Sequence, residues 1–299
     1  MSNASSSNDH PLMGQKRMAN TDTKYGGREI EITKVPAGGL PDDVKLSWVV
    51  DIESLCDDSH GQPIISVGYV VGDVESGKVY EVGRHSLRAD KHSENAAIAQ
   101  RYEQQLKQPG RYMRTRGRFA NRHAPYEWLG TSRCIKEFWE SDRIGPPKEL
   151  LELLEEEAVS PELAMERFMS VEDRWHIRSV GTDNPAYDIV RINAALKDYV
   201  PGRQFDFRYS KSGDYLCVID PSEQMKGLPK AIRDEIYKRT KGAGGGMTHR
   251  PDDDAYDIFR MAVLVRRACA YFEEAVPFGH PDAVKVVDQL EKGPLRSSK

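Results

Sequence analysis

The chain has 299 residues, of which 38% are hydrophobic and 30% charged, as is typical of one globular domain with elaborations. No run in the sequence approaches the roughly 18 apolar residues that a membrane span requires, so a membrane protein is not expected. The N-terminus lacks the apolar core of a secretory signal, and the four cysteines are widely spaced, so we expect an intracellular protein. The formal net charge of -4 gives no general attraction for phosphate, and any nucleic-acid binding must depend on local charge or on cations.

The first part of the chain is predicted to be a flexible arm followed by three strands. Residues 1–40 are rich in Ser, Asn, Gly and Lys and show no apolar periodicity. The segment 44–54 contains a near-continuous apolar run, typical of a strand buried on both faces. Two more strands are expected at 63–73 and 78–86, and the short connections predict an antiparallel meander.

Helical periodicity follows the meander and predicts a helical insert over about 93–172. Beyond it, a short strand is expected at 176–183, and the segments 203–210 and 214–220 fit either strand or loop. Three later helices are predicted, at 186–198, 229–239 and 251–275. We therefore expect a main domain over 41–292 and a flexible tail over 293–299.

Two carboxylates stand at the end of the first predicted strand. Asp51 and Glu53 share one face, because side chains alternate along a strand, and both can reach one cation. The same spacing occurs in Asp73 and Glu75, in a predicted solvated turn, so the spacing alone is weak evidence. Solvated acids at a strand end remain the alternative for the first pair.

A second polar segment, T-D-N-P-A-Y-D, lies at 182–188. Asn184 and Tyr187 lead into Asp188 at the start of a predicted helix, where an acid also favours the helix N-terminus. Asp183 is a second acid in the segment. The segment alone does not decide between the two acids.

A third polar segment contains His249 and, five residues later, Asp254. Asp254 lies in the first turn of the predicted helix at 251–275 and shares a face with Ile258 and Ala262, so it is expected to face the core. The neighbouring acids, Asp252 and Asp253, are expected to interact with the helix dipole, and His249 taken alone fits a loop histidine.

The segments D-I-E at 51–53, N-P-A-Y-D at 184–188 and H-R-P-D-D-D-A at 249–255 occur in the order of the three exonuclease motifs of the DEDDh 3′-to-5′ exonuclease superfamily, which they resemble. The likeness is nearest in character to phage exonucleases and bacterial 3′-5′ exoribonucleases. It implies an α/β fold, with a ribonuclease-H-like mixed β-sheet flanked by helices and a helical insert between motifs one and two.

The resemblance also implies a chemistry and the residues that perform it. Two divalent cations, Mg2+ or Mn2+, would be held by Asp51, Glu53, Asp188 and Asp254. Asp51 would bridge the ions, while Glu53 and Asp254 complete one site and Asp188 the other. His249 would be the general base that deprotonates the attacking water.

A basic segment between residues 104 and 126 contains no acid and alternates arginines with aromatic residues. Arginine binds phosphate in a bidentate manner and aromatic rings stack on unpaired bases. Arg114, Arg116 and Arg118 are therefore candidates, with Asn184 and Tyr187, for substrate binding. A solvated loop or a contact in a homo-oligomer would explain the same composition.

The sequence thus predicts a 3′-to-5′ exonuclease that acts on a nucleic acid with a free 3′ end. Two other functions stay open. The chain could be a catalytically inactive nucleic-acid-binding module, although such a module does not need the complete set of acids and histidine. It could also hydrolyse nucleotides or other small phosphate esters, for which the basic segment would be superfluous. The sequence does not distinguish DNA from RNA.

Overall fold

A computed structural model describes residues 30–54, 64–87, 150–205, 217–241, 249–274 and 282–293, apart from residues 42, 151, 152 and 155. The basic segment with Arg114, Arg116 and Arg118 lies outside these residues, as does most of the predicted insert. In the described ranges no helix combines the length and the apolar character needed to cross a bilayer.

Five strands form one mixed sheet in the order β3-β2-β1-β4-β5. Their bounds are β1 Leu46–Ser54, β2 Ile64–Asp73, β3 Lys78–Ser86, β4 Ile177–Gly181 and β5 Cys217–Ile219. Strand β2 runs antiparallel to both β1 and β3, whereas β1 pairs in parallel with β4 and β4 with β5. A mixed sheet with helices packed on both faces confirms the predicted α/β fold class.

Six helices have bounds that lie within the described ranges. They are α1 Pro161–Arg174, α2 Pro185–Tyr199, α3 Pro221–Met225, α4 Lys230–Thr240, α5 Pro251–Glu274 and α6 Ala283–Glu291. Helices α3 and α6 are absent from the sequence prediction. The apolar residues of α6, such as Val287 and Leu290, are buried in a cluster with residues of α3, α4 and α5.

The sheet separates two apolar clusters because the side chains of β1 alternate between its faces. Trp48 packs against Phe168 of α1, with ring centroids 4.6 Å apart, in a cluster that also includes α2. On the other face Val49 packs in a cluster with Ile258 and Phe259 of α5. Helix α1, most of which falls in the range predicted as an insert, is thus part of the core.

Ile30 and Thr33, in the last part of the predicted arm, contact β3. Ile30 is buried in the same cluster as Val79, and the backbone N–H of Thr33 donates to the Val79 carbonyl over 2.7 Å. These contacts attach the last part of the predicted arm to β3. The earlier residues of that arm lie outside the described ranges.

The turn between β2 and β3 explains the second D-x-E sequence. Asp73 accepts hydrogen bonds from the N–H of Glu75 over 3.0 Å and from the hydroxyl of Ser76 over 2.6 Å. Gly77 has a φ of 80°, which favours glycine. Asp73 therefore closes a turn, as predicted, but Asp73 itself is buried rather than solvated.

Glu81 of β3 anchors α1 through a polar cluster at the edge of the sheet. Burial alone would raise its pKa, but hydrogen bonds from Arg174, Trp175 and Tyr69 lower the pKa below its usual value. The Tyr69 hydroxyl donates to Glu81 over 2.7 Å. The charged form of Glu81 is therefore favoured in the folded state.

Glu81→Gln is expected to reduce the free energy of unfolding at pH 7 by about 1 to 3 kcal/mol, because charge-assisted hydrogen bonds are lost. A carboxyl whose pKa is lowered by folding stabilises the fold above its unfolded pKa, and this stabilisation is lost as the pH falls through the folded pKa. The difference between variant and wild type should therefore shrink in acid. Urea denaturation at neutral and acidic pH measures it.

The exposed Glu223, which pairs with Lys226, provides the control. Glu223→Gln is expected to change the stability by less than about 1 kcal/mol at either pH. A Glu81→Gln difference that does not depend on pH would show that packing, not charge, explains the loss.

Candidate metal centre

The end of β1 buries two carboxylates in the middle of the sheet. Asp51 and Glu53 follow Val49 at a spacing of two, so all three lie on the side of β1 that faces α5. Asp51 is 3% exposed and Glu53 6%. The alternative of solvated strand-end acids is therefore wrong for this pair.

Gly68 of β2 lies opposite Asp51 and lets α5 begin against the sheet. A Cβ atom at Gly68 would lie 2.0 Å from the carbonyl carbon of Pro251 and 2.3 Å from the backbone nitrogen of Asp252. No side chain fits in that space. The first turn of α5 can thus approach Asp51 because residue 68 is a glycine.

The three acids in the first turn of α5 are all buried, and they have different partners. Asp252 accepts from Arg84 over 2.9 Å, and Arg84 also binds Glu157. Asp253 lies 3.4 Å from Nε of Arg250. The two acids expected to serve the helix dipole are thus also paired with arginines.

Asp254 and His249 lie beside Glu53. Nδ1 of His249 is 3.3 Å from Oε1 of Glu53. One possible ligand atom from each of Glu53, His249 and Asp254 lies within 4.8 Å of the other two. Asp254 faces inward, as the helical spacing predicted, and the φ of 55° at His249 is the one positive value among the described residues other than glycine.

Thr182 holds the segment 182–188 in place. Its N–H donates to the Ile219 carbonyl over 3.2 Å, which extends the pairing of β4 and β5. Its hydroxyl donates a hydrogen bond to Oδ2 of Asp188 and accepts one from the backbone N–H of Asn184 over 3.3 Å. Asp188 lies in the first turn of α2 and is 3% exposed. The hydrogen bond from the Thr182 hydroxyl aligns its carboxylate.

The structure adds Asp183 to the residues selected from the sequence. Possible ligand atoms of Asp51, Asp183 and Asp188 lie within 4.8 Å of one another. The resemblance implies Asp188 as the ligand of this segment, but the structure brings both of its acids to Asp51. The position of Asp183 after β4 could have indicated this, because the carboxyl ends of parallel strands meet at one edge of a sheet.

The two predicted substrate-binding residues of this segment, Asn184 and Tyr187, lie between Asp183 and Asp188 in the sequence. The Tyr187 hydroxyl is 2.8 Å from Oγ of Ser54, and the Arg191 guanidinium lies 4.0 Å from the centre of the Tyr187 ring. Asn184 is exposed at the start of α2 and makes no side-chain capping bond there. Their role in substrate binding stays a prediction.

The acids form one electrostatic unit. Burial raises the pKa of Asp51 well above its usual value, and the charges of Glu53, Asp254, Asp188 and Asp183 raise it further. Burial also raises the pKa of Asp188 to about 7, although the bond from Thr182 opposes the shift. The cluster thus concentrates negative charge that is costly without a compensating cation.

Glu53 and His249, which lie side by side in the cluster, partly compensate each other's charge. Burial raises the pKa of Glu53, while the hydrogen bond and charge of His249 lower it. Burial lowers the pKa of His249, but the bond with Glu53 and the charges of Glu53 and Asp254 raise it above its usual value. The pair favours a histidine whose Nδ1 donates to Glu53.

The residues present fit divalent cations. Oδ2 of Asp51 is buried and has no hydrogen-bond partner among the described residues. A buried carboxylate oxygen without a donor is costly, and a cation would satisfy it. Carboxylate oxygens with one imidazole nearby are ligands that Mg2+ and Mn2+ accept. The acidic clusters therefore fit a metal site.

No protein-family model and no curated protein matches the sequence. Among solved structures, the chain is similar to Pop2p from S. pombe in its Mg2+- and Mn2+-bound form, with 14% sequence identity and a TM-score of 0.38. The match covers 77% of this chain and 86% of that chain. This similarity is too low to indicate an activity. The fold class therefore rests on the strand order, and the metal site on its side chains.

Proposed function

We propose that this chain is a metal-dependent 3′-to-5′ exonuclease of the DEDDh superfamily that hydrolyses the phosphodiester bonds of single-stranded DNA or RNA. The observation that carries the proposal is the burial of Asp51, Glu53, Asp188 and Asp254 in one cluster, with His249 against Glu53. These residues come from distant parts of the chain. A cluster of buried acids destabilises a fold unless ions compensate it, so its presence supports a function in metal binding.

The two groups of ligand atoms support two cation sites. Asp51 would contribute to both, Glu53 and Asp254 to the first and Asp188 to the second. When bound, the cations supply Lewis-acid activation of water and stabilisation of the leaving 3′ oxygen. The carboxylates fix the positions of these charges relative to the substrate phosphate.

His249 is proposed as the general base. Its Nδ1 faces Glu53, so Nε2 is the nitrogen that accepts a proton from the attacking water. Glu53 holds the imidazole in the tautomer with the proton on Nδ1 and stabilises the charged ring.

Arg114, Arg116 and Arg118 are proposed to guide the single strand, and Asn184 and Tyr187 to contact its end.

Oligonucleotides labelled at the 5′ end, supplied as single-stranded DNA, single-stranded RNA and duplexes with Mg2+ or Mn2+, test the proposal. Stepwise shortening from the 3′ end is the expected result. Release of phosphate from mononucleotides alone would establish the small-ester hydrolase instead. Binding without metal-dependent release from any substrate would establish the inactive module.

His249→Ala is expected to lower kcat by about 100-fold to 10,000-fold, the usual contribution of a general base. Its affinity for Mn2+ should change by only about threefold, since the acids supply most of the ligands. Steady-state kinetics and calorimetric Mn2+ titration measure the two effects separately. A loss of Mn2+ binding equal to the loss of kcat would assign His249 to metal binding instead.

His176→Ala is the matched control for the loss of an imidazole. His176 is exposed and precedes β4, at the opposite end of that strand from Thr182. The variant should keep both kcat and Mn2+ affinity.

A further inference from the structure

Asp183 has no role in the three-motif pattern, yet its carboxylate faces the cluster. A possible ligand atom of Asp183 lies within 4.8 Å of those of Asp51 and Asp188. Its side chain is 15% exposed. Asp183 also adds to the negative charge that raises the pKa of Asp51 and of Asp188.

The backbone around Asp183 is held on both sides. Thr182 is fully buried and pairs with Ile219, and the next residue, Asn184, donates its N–H to the Thr182 hydroxyl. The same hydroxyl donates to Asp188. One threonine therefore sets the position of two acids relative to each other.

The buried and unpartnered Oδ2 of Asp51 is a second, independent indication of a ligand in this group. Asp51 is 3% exposed and supplies one of the three carboxylates. No donor among the described residues reaches this oxygen. A dication held by the three carboxylates would satisfy it.

Lys241 lies beside Asp183 and offsets part of its charge. Its ammonium nitrogen lies 3.4 Å from Oδ2 of Asp183, and the Lys241 side chain is 22% exposed. Lys241 follows α4, where its N–H donates to the Tyr237 carbonyl over 2.9 Å. An ammonium at this distance neutralises part of the charge that would otherwise attract a dication.

We propose that Asp183 is a fifth metal-ligating carboxylate, which completes a protein-held second cation site with Asp51 and Asp188, and that Lys241 competes with the cation for it. The inference rests on the proposal that the acids hold cations. It deepens that proposal, because three carboxylates bind the second ion before any substrate phosphate arrives. Removal of Asp183 weakens this site, and removal of the Lys241 charge strengthens it.

Mn2+ titration of the full chain without substrate, followed by electron paramagnetic resonance and calorimetry, tests the inference. The wild type is expected to bind two Mn2+ ions. Asp183→Asn should weaken the second ion about tenfold or more, and Lys241→Met should tighten it about threefold or more. Because the two variants act in opposite directions, general damage to the fold cannot produce both results.

The exposed ion pair Lys230–Asp234 on α4 provides matched controls. Asp234→Asn and Lys230→Met remove the same charges away from the centre and should leave both Mn2+ affinities unchanged. If the wild type binds two ions and Asp183→Asn binds the second with wild-type affinity, the inference is overturned while the proposed function stands. If the wild type binds no Mn2+, both fail.

Discussion

Asp51→Asn is expected to abolish metal-dependent hydrolysis and at the same time to stabilise the protein in EDTA. The activity should fall about 1,000-fold or more, which corresponds to roughly 4 kcal/mol of lost transition-state stabilisation. In EDTA the variant should unfold at a temperature a few degrees higher, because an uncharged amide replaces a buried carboxylate whose pKa is raised by burial and by four neighbouring acids.

The response to Mg2+ separates this effect from ordinary stabilisation. Wild-type protein should gain thermal stability with increasing Mg2+, since a ligand that binds the folded state raises its unfolding temperature. Asp51→Asn should show little or no such gain. Thermal melts in EDTA and over a series of Mg2+ concentrations measure both quantities.

Asp73→Asn is the matched control, because Asp73 begins the other D-x-E sequence and accepts hydrogen bonds in its turn. This variant should lose stability in EDTA and keep the full Mg2+ response. If Asp51→Asn instead were less stable than the wild type in EDTA, the carboxylate would be favourably paired without a cation, and the metal site would lose its main physical support.

Part of the site could be predicted because it depends on local periodicity. The alternation of side chains along β1 places Asp51 and Glu53 on one face, and the spacing of Asp254 from Ile258 in α5 predicts an inward acid. Both geometries depend on residues that are neighbours in the sequence. The structure has the same arrangement.

Other parts of the site depend on contacts between distant segments, which periodicity does not reveal. The approach of Asp183 to Asp51 requires the parallel pairing of β1 with β4. The pairing of Asp252 with Arg84 requires β3 to lie under the start of α5. The sequence does not indicate that Arg84, in a strand, pairs with Asp252, which is one of three successive acids.

Helix α1 illustrates a different limit. The apolar spacing of Met165 and Phe168 indicates a helix with one buried face, but it does not indicate which surface covers that face. The sequence pattern therefore predicts that the segment belongs to an insert, whereas Phe168 packs against Trp48 of β1. A helical pattern predicts an element, and its place in the fold depends on its partner.

Gly68→Ala is expected to cost about 3 kcal/mol of stability and to remove the Mg2+ response. The added methyl group would overlap the backbone of Pro251 and Asp252, which cannot move aside as a side chain can. The first turn of α5 must then shift away from β2, and it carries Asp254 away from Glu53. Denaturant unfolding measures the stability, and thermal melts with Mg2+ measure the response.

Gly72→Ala distinguishes damage to the metal centre from damage to packing. Gly72 lies on the same strand and faces the same helix, but an added Cβ there would lie 2.6 Å from the ring of Phe259, two turns beyond the first turn of α5. We expect it to destabilise the protein and to leave the Mg2+ response intact. Loss of the response in both variants would mean that any weakening of the contact between β2 and α5 opens the centre. The close approach at Gly68 would then have no particular part in positioning the acids.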